Sequence, residues 1–401
     1  MSRFASADIP IPVRLGAKDH TWHIVGFVYF TFICFISIGL PLAVLPPFVH
    51  LRMGYSTVLA GLAISIQYLA TVLSRPWAGR ISDRMGAKVS VLWGMACCTA
   101  SGAFLVVVAP LHNIHWLSFA VLIASRLVLG VGESLASTGS SIWGIASAGP
   151  EHTAKVINLN GISIYCGVAL GAPLGVILDQ QWGLASIGVL TILICAVSFA
   201  LAWRKSPVAV VPGEHLPFSH VLGRVGPYGM SLALGSVGYC VLITFVALFY
   251  ASRHWNGAAL CLTVYGIANI AARVLFIKTV DHYGGFPVAM VSLFVTSVAM
   301  LMLWRAPAPW MALSGAALSG LGFALVFPAL GVELVKRVPE SNRGAVLGIY
   351  TAFFDVSFLL VGPVAGAIIG IYGYASGFLF ALISVLASLG IVVVLRQMQK
   401  G

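Results

Sequence analysis

From Ala185 to Trp203 the chain reads ASIGVLTILICAVSFALAW, nineteen residues without a charge. A bilayer crossing needs about 20 predominantly apolar residues in a helix. Twelve such segments can be placed, with cores near Ile24–Val49, Val58–Ala78, Val89–Ala109, Trp116–Ser141, Val156–Leu178, Ala185–Trp203, Tyr228–Tyr250, Leu260–Val280, Val288–Trp304, Trp310–Val335, Ala345–Ile371 and Ser376–Leu395. The hydrocarbon core offers a backbone amide no water, so every N–H and C=O in a crossing must bond within the protein. The runs are too long and too uniformly apolar for the alternating strands of a barrel. The sequence therefore predicts an all-α polytopic membrane protein, with lipid as its first partner. A composition of 60% hydrophobic and 8% charged residues agrees. The first apolar segment follows a polar arm of about 20 residues with no small-residue cleavage site, which reads as a retained first helix.

The formal net charge of +11 could point to nucleic acid, but its distribution argues for topology instead. With both termini in the cytoplasm, eighteen lysines and arginines fall at cytoplasmic ends, among them Arg75, Arg80, Arg84, Lys88, Lys155, Arg204, Lys205, Arg273, Lys278, Lys336, Arg337 and Arg396. Only Arg52, Arg253 and Arg305 face the other way, and Arg126 lies inside a helix. This asymmetry predicts a cytoplasmic membrane with both termini inside, here the inner membrane of a bacterium. A basic face beside anionic lipid needs no nucleic-acid partner. The seven cysteines, Cys34, Cys97, Cys98, Cys166, Cys195, Cys240 and Cys261, lie in or beside apolar helices without metal-ligand spacing, so packing is their expected role.

The longest polar interruption, WRKSPVAVVPGEHLPFSHVLGRVGP, separates six crossings from six. It divides the chain into a bundle over 1–203, a cytoplasmic loop over 204–227 and a second bundle over 228–401. The halves share a pattern. SRPWAGRISDRMG aligns with ARVLFIKTVDHYG, so that Arg75, Arg80, Asp83 and Gly86 each meet a counterpart 198 residues on: Arg273, Lys278, Asp281 and Gly284. Gly130, Gly132 and Pro173 find theirs 190 residues on, at Gly320, Gly322 and Pro363. Six crossings per repeat give both halves the same orientation, the parallel repeat of many secondary transporters.

Two of these motifs carry a family resemblance. GRISDRMGAK, Gly79–Lys88, resembles the Gly-x-x-x-Asp-Arg-x-Gly-Arg-Lys loop between helices two and three of the major facilitator superfamily, with Ala87 where an arginine is usual. RLVLGVGES, Arg126–Ser134, resembles its helix-four Arg-x-x-x-Gly-x-Gly pattern. GVALGAPLG, Gly167–Gly175, is similar to the helix-five Gly/Pro signature of its drug–proton antiporters, and VGPVAG, Val361–Gly366, repeats the theme. Stretches such as IGLPLAVLPPFV and VFPALGV are similar to the YhhS/YfcJ-type, arabinose-efflux-like exporters. The resemblance implies two six-helix halves that alternate access to a central cavity. It also implies that Asp83 and Arg84, with Gly79, Gly86, Lys88 and the degenerate copy at Asp281, latch the halves together in one state. The alternative for the basic residues is topology alone.

Ionisable groups deep in a membrane are costly and mark function. Asp355 lies twelve residues beyond Arg343, roughly 18 Å into the bilayer at about 1.5 Å per residue. It is the first candidate for a proton-carrying carboxylate, the alternative being a neutral carboxyl bonded between helices. Glu133 and Arg126 are further candidates, seven residues apart and so about 10 Å along one face of a helix. Glu333, close to Lys336 and Arg337, is expected at the interface. Gly167, Gly171, Pro173, Gly175, Gly362, Pro363 and Gly366 read as packing and hinge positions, small residues letting helices approach. Tyr29, Gln67, Asn160, Tyr165, Tyr239, Asn269, Tyr350 and Phe354 are the candidates for the cavity wall, the amides because an unpaired amide in hydrocarbon is expensive.

The expected function is secondary transport. The first reading is a monomeric proton-coupled antiporter that exports a small organic molecule; a symporter importing a sugar or organic acid is the alternative, and a receptor without flux the alternative of another class. No filter motif suggests a channel, no His/Asp/Cys cluster an enzyme, and no GxxxxGKS loop an ATP-driven pump. No cofactor is expected.

Overall fold

The computed structural model describes residues 17–111, 114–149, 152–208, 218–276, 278–337 and 343–398, and it is helical throughout, without a strand among them. Twelve helical spans among the described residues are long and apolar enough to cross a membrane. They are α1 Trp22–Arg52, α2 Thr57–Met85, α3 Ala87–Leu111, α4 His115–Ala148, α5 Lys155–Trp182, α6 Leu184–Arg204, α7 Val225–Ser252, α8 Ala258–Leu275, α9 Gly285–Arg305, α10 Pro309–Val335, α11 Ile349–Tyr372 and α12 Ala375–Gln397. The helix that carries α7 begins at Phe218, inside the stretch expected to be loop. The chain is an integral membrane protein, and its outer surface agrees. Leu193, Val197 and Leu201 recur every four residues on α6 and stand exposed, as lipid-facing residues do.

Local chemistry sets the helix ends. Ser56 caps α2, its Oγ accepting from the Leu59 N–H at 3.3 Å. At the other end Gly86 has φ +95°, and α3 starts at the next residue. Gly284, its counterpart in the repeat, has φ +83° and likewise opens α9. A side chain is strained at positive φ, so both reversals call for glycine.

The repeat governs packing as well. In the first half α3 packs on α4 and α6, α2 on α4 and α1 on α5; in the second, α9 packs on α10 and α12, α8 on α10 and α7 on α11. Two helix pairs make most of the contact between the halves, α2 with α11 and α5 with α8. These pairs exchange places under the repeat.

Glycine permits the close approaches, though not all of them join halves. Gly167, Gly171 and Gly175 lie against Phe35, Ile36 and Leu40 of α1, within their own half. Of the packing and hinge roles expected of them, their neighbours show packing inside the first bundle. Gly362 and Gly366 do face the other half. A Cβ on Gly366 would sit 2.6 Å from the Thr57 carbonyl, and one on Gly362 2.6 Å from the Gly61 carbonyl. Pro173 and Pro363 lie inside continuous helices.

Gly130 and Gly390 make a test of the packing. A Cβ on Gly130 would meet the Gln67 carbonyl and lie 3.0 Å from Ala70 Cβ, whereas nothing lies within 4 Å of one on Gly390. Gly130→Ala is expected to destabilise the fold by about 1–3 kcal/mol through overpacking. Gly390→Ala should be neutral or slightly stabilising. Thermal unfolding of both variants in detergent checks the contrast.

Candidate functional site

A cavity of about 1150 Å³ lies between the halves. Its walls come from α1, α2, α4 and α5 on one side and α7, α8, α10 and α11 on the other. The remaining four helices, α3, α6, α9 and α12, contribute no wall residue, which follows from the repeat. Arg75, Lys155, Arg273 and Lys336 border the cavity toward the basic end of the bundle. Toward the opposite end the halves meet. Thr57 Oγ1 donates to the Gly366 carbonyl at 2.7 Å, Thr263 Oγ1 donates to the Ala169 carbonyl at 2.9 Å, and the rings of His50 and Tyr374 meet edge to face at 6.4 Å.

Asp355 is buried and lines the cavity. Its Oδ2 accepts a hydrogen bond from Arg75 Nε, making an ion pair that bridges α11 and α2 and hence the two halves. Arg75 was counted in the sequence as a topology charge at a helix end. Its side chain is only 26% exposed and turns inward to this pair. Glu133, on α4, also borders the cavity. Its Oε2 accepts from Gln67 Nε2 at 2.6 Å and from Thr71 Oγ1 at 3.2 Å, so α2 holds the α4 carboxylate through two neutral donors. Arg126, two turns from Glu133, is fully buried and its three guanidinium nitrogens find no hydrogen-bond partner among the described residues. It does not line the cavity.

The repeat explains a second basic group. Arg273, the counterpart of Arg75, stands 5.1 Å from the ring centroid of Tyr165 on α5. The offset of 190 that relates Pro173 to Pro363 relates Tyr165 to Asp355. Each arginine therefore reaches across the interface to the same repeat position, a carboxylate in one case and a phenol ring in the other. Sequence reasoning had both arginines and both offsets in hand. Adding Tyr165 and Asp355 to that alignment was the signal it did not use, and Arg75, Arg273 and Lys155 went unnamed as wall residues.

The eight expected wall residues divide evenly. Asn160, Tyr165, Tyr239 and Phe354 line the cavity. The other four do not, and each has a partner that holds it elsewhere. Tyr29 OH bonds Ser198 Oγ at 3.2 Å, against α6. Gln67 stands behind Glu133 as its donor. Asn269 Nδ2 donates to the Gly320 carbonyl while its Oδ1 accepts from Arg273 Nε, at 3.2 and 3.0 Å. Tyr350 OH donates to the Phe327 carbonyl at 3.1 Å. The amides were singled out because an unpaired amide is costly in hydrocarbon, and that same cost is met by helix–helix hydrogen bonds. Rings that were not anticipated complete the wall: Phe358 packs at 4.4 Å on Tyr68, 4.8 Å on Phe354 and 5.5 Å on Tyr239.

The expected latch residues lie at the basic end of α2. Gly79 sits within the helix, Asp83 is half-buried in its last turn and Arg84 is exposed. Lys88 works inside its own half here: its Nζ donates to the Trp203 and Lys205 carbonyls at 2.6 and 2.7 Å, satisfying the end of α6. The Asp281 side chain lies outside the described residues. Glu333 caps the start of α9, its Oε1 accepting from the Gly285 N–H at 2.9 Å and from Lys336 Nζ at 3.1 Å.

Two overlapping matches to the family model of the Major Facilitator Superfamily cover residues 27–284 and 230–400. The chain belongs to the major facilitator superfamily. An uncharacterized MFS-type transporter of Pseudomonas aeruginosa is 51% identical over 390 residues, spanning 97% of each chain. One of Burkholderia pseudomallei is 49% identical over 394 residues, spanning 98% of this chain and 97% of its own. Among solved structures, a D-xylose–proton symporter superposes with a TM-score of 0.73 at 17% identity, over 92% of this chain and 97% of its own, a likeness of fold. The family is one of membrane transporters of small molecules, and the cavity between the halves lies where such transporters hold their substrates.

The ion pair that joins the halves should register in stability. Removing either partner leaves a buried charge exposed to hydrocarbon or protein, so Arg75→Gln and Asp355→Asn together are expected to cost less than the sum of the two single changes. The coupling energy is expected to be on the order of 1–3 kcal/mol. A double-mutant cycle on thermal unfolding in nanodiscs measures it.

Proposed function

We propose that the chain is a proton-coupled antiporter that exports a small organic molecule across a bacterial inner membrane by alternating access, working as a monomer with both termini in the cytoplasm. The observation that carries this reading is the Arg75–Asp355 pair, a buried carboxylate on the cavity wall tied across the two halves. With the basic end in the cytoplasm, the cavity faces inward, and the contacts of Thr57 with Gly366 and of Thr263 with Ala169 close the outer end.

A proton on Asp355 removes the charge that holds Arg75. The attraction between α2 and α11 at that level falls to a neutral hydrogen bond, and the balance between the two states shifts. Glu133, held by Gln67 and Thr71, is the second carboxylate on the cavity wall. Asn160, Tyr165, Tyr239 and Phe354 contact substrate in the inward-facing state. When the halves rock, Asp83, Arg84 and Lys88 at the end of α2 meet the second half and latch the cytoplasmic side, with Asp281 as the weaker copy; Gly79 and Gly86 let the backbones approach. Gly362 and Gly366 form the surface on which α11 moves against α2.

Proteoliposomes carrying an internal pH dye test the reading. Addition of compounds from a panel of organic acids, bases and sugars is expected to evoke proton movement opposite to the substrate gradient in the wild type. Asp355→Asn should bring that movement down to the level of protein-free liposomes while substrate binding persists. Undiminished coupled flux in Asp355→Asn would remove Asp355 as the carrier, and proton movement in the same direction as the substrate would replace antiport by symport.

A further inference from the structure

The charges that line the cavity are four cationic side chains and two carboxylates. Both carboxylates are already engaged, Asp355 by Arg75 and Glu133 by Gln67 and Thr71. Of the two, only Asp355 is paired with a cation; the donors to Glu133 are neutral and both fall on Oε2. On the cationic side, Arg75 is matched by Asp355 and Lys336 by Glu333, and Lys155 is also engaged within the protein. Arg273 differs. Its Nε donates to the amide oxygen of Asn269 and its guanidinium stands over the ring of Tyr165, and no carboxylate among the described residues pairs with it. The repeat is the reason. Tyr165 occupies the position that holds Asp355 in the other half, so the symmetry that neutralises Arg75 leaves the charge of Arg273 uncompensated on the cavity wall.

Arg273 stands on the open wall of the cavity. It borders the cavity together with Gly161, and a Cβ on Gly161 would lie 3.1 Å from Arg273 Nη1. Glycine here leaves open the approach to the guanidinium fork. The fork suits a planar or tetrahedral oxyanion, which it can bind through two N–H groups at once. Next to it the wall turns aromatic: Tyr165 packs at 5.9 Å on Tyr239, which packs in turn on Phe358, and Phe354 follows. A flat apolar body fits against such a surface by offset or edge-to-face contact.

We propose that the cavity takes an aromatic or similarly flat organic anion, whose carboxylate or sulfonate sits on Arg273 and whose ring lies against Tyr165, Tyr239 and Phe354. This rests on the reading of the cavity as the substrate site, and it makes Arg273 the residue that sets the preferred charge of the ligand. The partial loss of repeat symmetry is then functional: one arginine is committed to the pair that joins the halves, and its twin is released for the ligand.

The test is equilibrium binding to the full chain in nanodiscs, corrected against empty nanodiscs, with naphthoate, naphthamide and naphthylmethylammonium as matched anionic, neutral and cationic probes. Naphthoate is expected to bind at least about tenfold more tightly than naphthamide, as a charge-assisted bidentate contact requires. Arg273→Gln should abolish that preference while binding of naphthamide persists, which shows the wall intact, and Arg273→Lys should keep part of it. A preference for the ammonium probe, failure of all three to bind, or a naphthoate preference that survives in Arg273→Gln would overturn the proposal. Proton movement is read separately: naphthoate that binds as expected yet evokes none leaves the ligand class standing and removes proton coupling.

Discussion

Inside a bilayer a backbone amide or a charged side chain has only the protein to satisfy it, and the rest of this structure follows from that constraint. It forces the twelve spans into helices. It also places polar side chains between helices, where Gln67 and Thr71 meet Glu133, Asn269 meets the Gly320 carbonyl and Tyr350 meets the Phe327 carbonyl. Apolar surface cannot hold such helices together in lipid, since lipid tails are as apolar as leucine. Close approach at glycine and a small number of polar contacts do so instead. The protein is accordingly built from two tight bundles joined by two helix pairs, and the contacts of those two pairs fix how the halves meet.

The internal repeat turns this economy into an asymmetric site. Duplication gives each half an arginine near the basic end of its second helix and a facing residue on the fifth helix of the other half. In one pair the facing residue is Asp355, in the other Tyr165. A carboxylate makes an ion pair with its arginine between the halves, and a phenol ring offers its arginine an aromatic face instead. The same scaffold thus carries an ion pair between the halves on one side of the cavity and, on the other, an arginine with no carboxylate partner among the described residues.

Much of the fold was legible in the sequence because apolar length and charge asymmetry are strong, local signals. The twelve spans, the two halves and the parallel repeat could all be read that way. The depth of Asp355 and Glu133 followed from counting residues along a helix. What could not be read was helix rotation about its own axis. Tyr29 and Tyr350 are as aromatic and as deep as Tyr165 and Tyr239, yet only the latter two face the cavity. Gly167 and Gly362 carry the same motif and face different partners, α1 of the same half and α2 of the other. Arg75 looked like a topology charge because the apolar segment read from the sequence ends at Ala78, whereas the helix runs on to Met85 and leaves Arg75 well inside it.

The central claim is that the basic end opens where the opposite end closes, and that the two exchange. Distances between spin labels test this most directly. One pair of labels, at exposed Met85 and Tyr283, spans the basic end, and another, at exposed Leu51 and Tyr372, spans the opposite end. Pulsed electron–electron resonance in nanodiscs, across a change of pH, should show the first distance shortening in the population in which the second lengthens. Two distances that stay fixed, or that change together in the same direction, would contradict alternating access and leave the cavity a static one.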